Sequence, residues 1–297
     1  MLRMVGHLTV DDVVLADGTT HMRQVGGAPV FAAAGARLAG ARPSVITAVS
    51  PDLPTEFAGW IAREAIPVVD CGRTTRHIAQ WVVYERGGER TFLLHPGSAD
   101  LYEAAPDAEL WVVGHEFGWA HIAPMPVSIQ AAWVRRMAEA GLSVALDPHE
   151  DSAAGRQEDT LRLLPLLSAF LPSEKEAASL FGGTDMVAAA RAFVAAGVET
   201  CVIKLGQAGC LVATGDGSWR VPSVAGTCVD ATGAGDTFCG GFVAALAHGL
   251  GPETAARYGT VAASYAVEGF GVPSPRARSP EDWRQRLART QISRLAA

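Results

Sequence analysis

The feature that most narrows the possible folds is a repeated alternation. Short, nearly continuous apolar runs alternate with longer stretches whose apolar residues recur at helical spacing. The short runs, at 45–49, 110–113, 144–146, 169–171 and 201–205, have the length of strands, and their lack of polar alternation predicts strands covered on both faces. Helical patterns lie between them, at roughly 30–39, 128–140, 159–167, 175–181 and 186–196, with Gly141 and Gly197 where C-caps would fall. This order predicts an α/β fold, a doubly wound and mainly parallel sheet flanked by helices. With 297 residues, 49% of them hydrophobic, the chain can fill one such domain over 1–297.

Two segments break the alternation. Residues 78–84 and 91–94 flank Glu85-Arg86-Gly87-Gly88-Glu89-Arg90, the pattern of an antiparallel hairpin with a Gly-Gly turn. Residues 13–15 and 22–25, on either side of Asp17-Gly18, form a second candidate hairpin. Together they predict a small β-sheet lid from about 13–25 and 74–94, over a site at the carboxyl edge of the parallel strands. Two surface hairpins without that role fit the letters as well. Residues 272–280, rich in Pro, Ser and Arg, read as a surface loop before a last helix at 281–287.

Charge and cysteine usage exclude other classes. A net charge of −7 argues against a general nucleic-acid or anionic-membrane partner. No run of about 18 apolar residues predicts a membrane span, and residues 1–14 lack the parts of a signal peptide. Cys71, Cys201, Cys210, Cys228 and Cys239 are odd in number and form no C-x-x-C pair, so reduced thiols in a cytoplasmic protein are expected.

The chemistry concentrates at 230–238, Asp-Ala-Thr-Gly-Ala-Gly-Asp-Thr-Phe. Gly233, Ala234 and Gly235 offer backbone N–H groups with little side chain in the way, and Asp236 follows with a carboxylate. The apolar residues Phe238, Phe242, Ala245, Leu246 and Leu250 then recur at near-helical spacing, so the glycines stand at a predicted helix N-terminus, where an anion is favoured. An anion beside a carboxylate able to take a proton is the minimum apparatus of phosphoryl transfer. A plain strand–helix turn, with Asp236 as an N-cap, fits the same letters. A P-loop, a dinucleotide fingerprint, a nucleophile elbow and an H-E-x-x-H pair are all missing from the chain.

The nonapeptide, continuing Cys-Gly-Gly-Phe, closely resembles the C-terminal signature of the ribokinase-like, or pfkB, carbohydrate kinases. Three further segments match that family in order. Val5-Gly6-His7-Leu8-Thr9-Val10-Asp11 resembles its opening strand and substrate aspartate. Gly26-Gly27-Ala28-Pro29 resembles its N-terminal signature, and Lys204-Leu205-Gly206-Gln207-Ala208-Gly209 the turn that approaches the nucleotide phosphates. The resemblance implies an ATP-dependent phosphotransferase that acts on a hydroxyl of a small polyhydroxylated molecule: a sugar, a polyol such as inositol, or a nucleoside. Asp236 would be the general base, and the N–H groups of Gly233, Ala234 and Gly235 the anion hole. Asp11, with Asp12 as the adjacent competitor, and Gly26 and Gly27 would hold the acceptor. Lys204, Gly206, Gly209 and Thr232 would meet the nucleotide. Asp230 and Thr232, with Gly271 and Ser274, would border a monovalent-cation site suited to K+. A homodimer through the lid is a further implication. A non-catalytic binding protein that kept the fold is the alternative.

Two departures qualify the match. Phe31 stands where many sugar kinases carry Asn, which disfavours ribose or fructose and resembles an inositol-kinase-like branch; Phe31 is equally open to a core-packing role. Ser173 replaces Asn in the family's Asn-x-x-Glu, leaving Glu176 to orient Mg2+ through water, while Ser173 and Glu176 also spell a capping box. Lys204 could face phosphates or solvent. Arg90 and Trp81 in the lid and Asp147 at a strand end could border the site.

Overall fold

A computed structural model of the chain describes residues 1–86, 90–112, 118–149, 155–224 and 226–296. The predicted Gly87-Gly88 turn lies outside them. In chain order the strands are β1 (Leu2–Val5), β2 (Thr9–Val14), β3 (Thr20–Gly26), β4 (Pro43–Thr47), β5 (Val68–Asp70), β6 (Ile78–Tyr84), β7 (Arg90–Leu94), β8 (Trp119–Ile122), β9 (Ser143–Leu146), β10 (Ala169–Phe170), β11 (Thr200–Lys204), β12 (Cys210–Thr214), β13 (Gly217–Val221) and β14 (Ser293–Arg294). The helices are α1 (Ala28–Leu38), α2 (Thr55–Glu64), α3 (Val127–Glu139), α4 (Gln157–Leu161), α5 (Glu174–Phe181), α6 (Met186–Ala195), α7 (Ala234–Ala247), α8 (Pro252–Val267) and α9 (Pro280–Arg289).

Ten strands form the main sheet, in the order β14-β13-β12-β11-β10-β9-β8-β1-β4-β5. Pairing is parallel from β11 to β5 and antiparallel across β12, β13 and β14. The chain leaves β1 toward β4 and β5, then returns to build outward from β8. The order therefore reverses between β1 and β8, and ligands of open α/β sheets bind outside the carboxyl ends at such a point. Leu2 and Met4 pack on one face with Phe238, Phe242 and Val261, while Val5 packs on the other with Ile122, Trp133 and Phe170. Burial on both faces explains why the strands read as continuous apolar runs.

A separate four-stranded sheet has the order β3-β2-β6-β7. The two predicted hairpins are joined in it edge to edge, because β2 and β6 pair in parallel. The segment that resembles one opening strand, residues 5–11, is divided: β1 ends at Val5, and Asp11 belongs to this small sheet, within β2.

Two other expectations change. The apolar letters at 110–113 do not make a strand. Ala108–Leu110 is a short 3-10 turn capped by Asp107, Leu110 is 38% exposed and Val112 is 86% exposed; Val113 lies outside the described residues. The strand of that unit is β8, whose Trp119 and His121 interrupt an apolar reading. The helix predicted at 159–167 ends at Leu161, and Pro165 sits in a following 3-10 turn. The β12–β13 hairpin, which the alternation does not reveal, turns through Gly215-Asp216.

Helix α7 is buried against α1 at backbone distance. A Cβ on Gly240 would overlap the Ala32 carbonyl, and one on Gly35 would overlap the Thr237 carbonyl. Neither obstacle is a side chain that could swing aside. Gly240→Ala is expected to push the two helices apart and destabilise the protein by at least about 1–3 kcal/mol. Urea unfolding measures this, and a wild-type midpoint would contradict the packing.

Candidate active site

The loop before α7 ends at Gly233, the helix N-cap, whose φ of 69° is left-handed. A Cβ here would enter the ring of Phe31, which is 3% exposed on the first turn of α1. Phe31 thus packs under the start of α7. No side chain caps this helix, so its first-turn N–H groups look outward. Ala234 N–H donates to the Ala231 carbonyl at 3.3 Å. Asp236 is half-buried in the same turn. Burial raises its carboxyl above the usual range, with Glu176 adding to the rise and Lys204 and Arg90 opposing it.

Lys204 ends β11 and turns inward. Its Nζ donates to Asp147 Oδ2 at 2.6 Å and lies 3.6 Å from Cys239 Sγ. It is also 3.6 Å from the point where Gly235 would carry a Cβ. Its side chain is 14% exposed, against 3% for Asp147. Burial lowers the affinity of Lys204 for its proton, but the Asp147 carboxylate outweighs this and raises the ammonium above its ordinary range. Burial likewise pushes the Asp147 carboxyl up to about 7 against the pull of Lys204. We assign the shared proton to the lysine, since 2.6 Å is a charge-assisted distance.

Glu176 and Ser173 make a full capping box. Ser173 N–H donates to Glu176 Oε2 at 2.7 Å, and Glu176 N–H to Ser173 Oγ at 3.3 Å. Glu176 nevertheless bears electrostatically on Asp147, Lys204 and Asp236, so it lies beside them. Among the described residues no cluster of three or more His, Cys, Asp or Glu could hold a metal by itself. A single carboxylate suits Mg2+, which keeps waters and takes its other ligands from phosphates. Gly206 and Gly209 flank the short 3-10 turn after Lys204.

Across the gap stands the small sheet. Asp11, Gln80, Val82 and Tyr84 share one of its faces by register, with Arg90, Phe92 and Leu94 opposite them on β7. Gln80 donates to Asp11 Oδ1 at 3.0 Å, and only a glycine at 26 leaves room for the other carboxylate oxygen. Burial lifts the Asp11 carboxyl to about 6, the Gln80 hydrogen bond opposing and Asp12 and Asp230 reinforcing. Asp12 faces away. It accepts from Arg23 N–H at 2.6 Å and lies 3.3 Å from His95, whose ring stacks on Trp81. Tyr84 reaches across to donate to Asp230 Oδ1 at 2.7 Å and meets Thr232 Oγ1 at 2.7 Å. Arg90 donates to the Ala231 carbonyl at 3.5 Å.

The structure thus gathers Asp236, Lys204, Glu176, Asp147 and Arg90 around the start of α7, with Asp11, Gln80, Asp230 and Thr232 beside the lid. Gly271 and Ser274 stand further off. Gly271 faces Gln24, and Ser274 donates to Glu64 at 3.4 Å. Gln80 and Tyr84 were unforeseen. Counting in twos from Ile78, which places residues 78, 80, 82 and 84 on one face, would have found them.

The comparisons with known proteins show the class of enzyme, a phosphotransferase with an alcohol acceptor. The model of the pfkB family of carbohydrate kinases matches residues 4–277, and the chain belongs to that family. A cytidine kinase of Thermococcus kodakarensis is 29% identical over 91% of this chain and 97% of its own. A Klebsiella pneumoniae fructokinase is 30% identical over 85% and 87%. Among solved structures, a Burkholderia thailandensis nucleoside kinase in complex with inosine superposes with a TM-score of 0.78 at 18% identity, covering 97% of this chain and 96% of that one. A double-mutant Vibrio cholerae fructokinase with fructose, ADP and potassium ion bound gives 0.78 at 20% identity, covering 95% and 97%. The last two show the ribokinase-like fold. Among the described residues no helix is long and apolar enough to cross a membrane.

The Asp11 carboxyl sits above its ordinary 3.8. The folded protein therefore holds this proton more tightly than the unfolded chain. That stabilisation is full below about pH 4 and is lost as pH rises through about 6. Relative to Asp11→Asn, the wild type is expected to lose roughly 2 kcal/mol between about pH 4.5 and about pH 7.5. Parallel urea curves for both proteins would show it, and a pH-independent difference would contradict the burial of Asp11.

Proposed function

We propose that the enzyme transfers the γ-phosphoryl group of ATP to a hydroxyl of a nucleoside, sugar or polyol, with a nucleoside the acceptor that the site fits best. One observation carries the reaction: the uncapped start of α7 presents backbone N–H groups beside the half-buried Asp236 and the Lys204 ammonium. Asp11 and Gln80 bind acceptor hydroxyls, with the Gly26 and Gly27 backbone allowing close approach. Asp236, its carboxyl raised by burial, takes the hydroxyl proton as the oxygen attacks; a positioned base contributes ~10²–10⁴-fold. The N–H groups at Gly233, Ala234 and Gly235 receive the charge of the transferring group, each such donor contributing ~10²–10³-fold. Lys204, Gly206, Gly209 and Thr232 hold the nucleotide phosphates. Mg2+, oriented by Glu176 through water, offsets phosphate charge when bound. The small sheet closes as a lid and excludes water.

Four further readings belong with this one. Phe92 and Leu94, 49% and 45% exposed, share the lid face of Asp11 and Gln80. Such an apolar wall suits the flat base of a nucleoside better than a bare sugar, and the similarity to a cytidine kinase and an inosine-bound nucleoside kinase supports it. Asp230 is 3% exposed and forms no ion pair among the described residues, so a K+ ion beside it would relieve a buried charge; the Vibrio cholerae fructokinase of the same fold has a potassium ion bound. The outer edge of β7 is unpaired within the described residues and carries Leu93, 50% exposed, which supports a homodimer through the lid sheets. A cytoplasmic location fits the five free cysteines.

ADP release should be followed with ATP and Mg2+ over a panel of nucleosides, sugars and inositols. The expected result is turnover with a nucleoside, reduced at least ~10²-fold in Asp236→Asn. Unchanged turnover in that variant would remove Asp236 as the base. Tight acceptor binding without turnover anywhere in the panel would favour a non-catalytic binder. Turnover confined to inositols or free sugars would overturn the nucleoside reading.

A further inference from the structure

The Asp147–Lys204 pair joins segments far apart in the chain. Asp147 follows β9, Lys204 ends β11, and Cys239 lies in the second turn of α7; three distant segments meet beneath the first turn of that helix. Asp147 Oδ2 accepts from Lys204 at 2.6 Å and from the Cys239 thiol at 3.4 Å, while its Oδ1 is buried without a partner among the described residues. A buried ion pair contributes little net stability, because desolvation consumes its attraction. What the pair does supply is direction. The Asp147 contact holds the ammonium 3.6 Å from the Gly235 Cβ position, at the helix end where N–H groups point outward.

We propose that Asp147 is a positioning residue for phosphoryl transfer, fixing the Lys204 ammonium under the first turn of α7 so that a permanent positive charge backs the helix-end amides. The proposal rests on the site reading above. It also explains how the carboxylates can crowd there. Asp147, Asp236, Glu176 and the Cys239 thiol all bear on Lys204, and His121 on the neighbouring β8, fully buried, is kept neutral by burial and by the Lys204 charge. Lys204 is the buried cation common to them all, with Arg90 reaching Asp236 from the lid. Without Asp147, burial would favour loss of the lysine proton.

The test compares Asp147→Asn, Lys204→Met and the double variant with the wild type, each checked for a wild-type circular dichroism spectrum. Asp147→Asn is expected to lower kcat about tenfold to hundredfold with the acceptor KM within about twofold. Its activity should fall further as pH rises, while the wild type stays flat, because only the variant's lysine loses its proton. The double variant should be no slower than Lys204→Met, since Asp147 acts only through the lysine. A loss independent of pH, or additive losses in the double variant, would overturn the proposal. ADP binding by calorimetry gives an arm free of turnover: Asp147→Asn and Lys204→Met should weaken it alike. A wild type that binds ADP in this pattern yet phosphorylates no acceptor would sink the kinase reading and leave the positioning role standing. Equal ADP affinity in all four proteins would sink the positioning role whatever the turnover.

Discussion

Helix α7 starts at a partly exposed turn, and no side chain among the described residues caps it. A helix end leaves several N–H groups unsatisfied, and burying them without partners is costly. Much of the architecture answers to that constraint. The ring of Phe31 supports the turn from below, the Lys204 ammonium stands beside it, and the lid arches over it through Tyr84 and Arg90. Side-chain capping would have removed the problem and the reactivity together. An anion bound there would complete the helix from outside.

The main sheet was legible because its strands are buried on both faces and its helices on one. Those periods differ, and the chain at 144–146, 169–171 and 201–205 shows them plainly. The reading failed where apolar letters and burial part company. Leu110 and Val112 are exposed, whereas His121 is fully buried in a strand that no hydropathy count would find. The motif at 230–238 located the start of α7, because glycine and aspartate there answer to backbone geometry that a local segment dictates. Contacts between distant segments were another matter. That Lys204 turns toward Asp147, and that Tyr84 spans the gap to Asp230, depends on how remote strands are stacked, and no local spacing encodes it.

The adjacent acids at 11 and 12 show how a strand sorts chemistry. Successive side chains of β2 point to opposite faces. Asp11 therefore joins Gln80 on the side of the gap, while Asp12 accepts the Arg23 N–H and meets His95 on the other. One acid is left for a ligand and the other is spent on holding the lid together. The capping box at Ser173 and Glu176 is a similar economy, since one carboxylate both starts a helix and faces the site.

A single residue, Gly27, separates the last lid strand β3 from α1, and Phe31 on the first turn of α1 bears on Gly233. The small sheet and the start of α7 are thus joined through one short lever. A tilt of β3 would reach Gly233 within five residues of chain. By linkage, any preference that one ligand has for the tilted state is returned to the other in equal measure. The two halves of the reaction, separate on the surface, share one mechanical account.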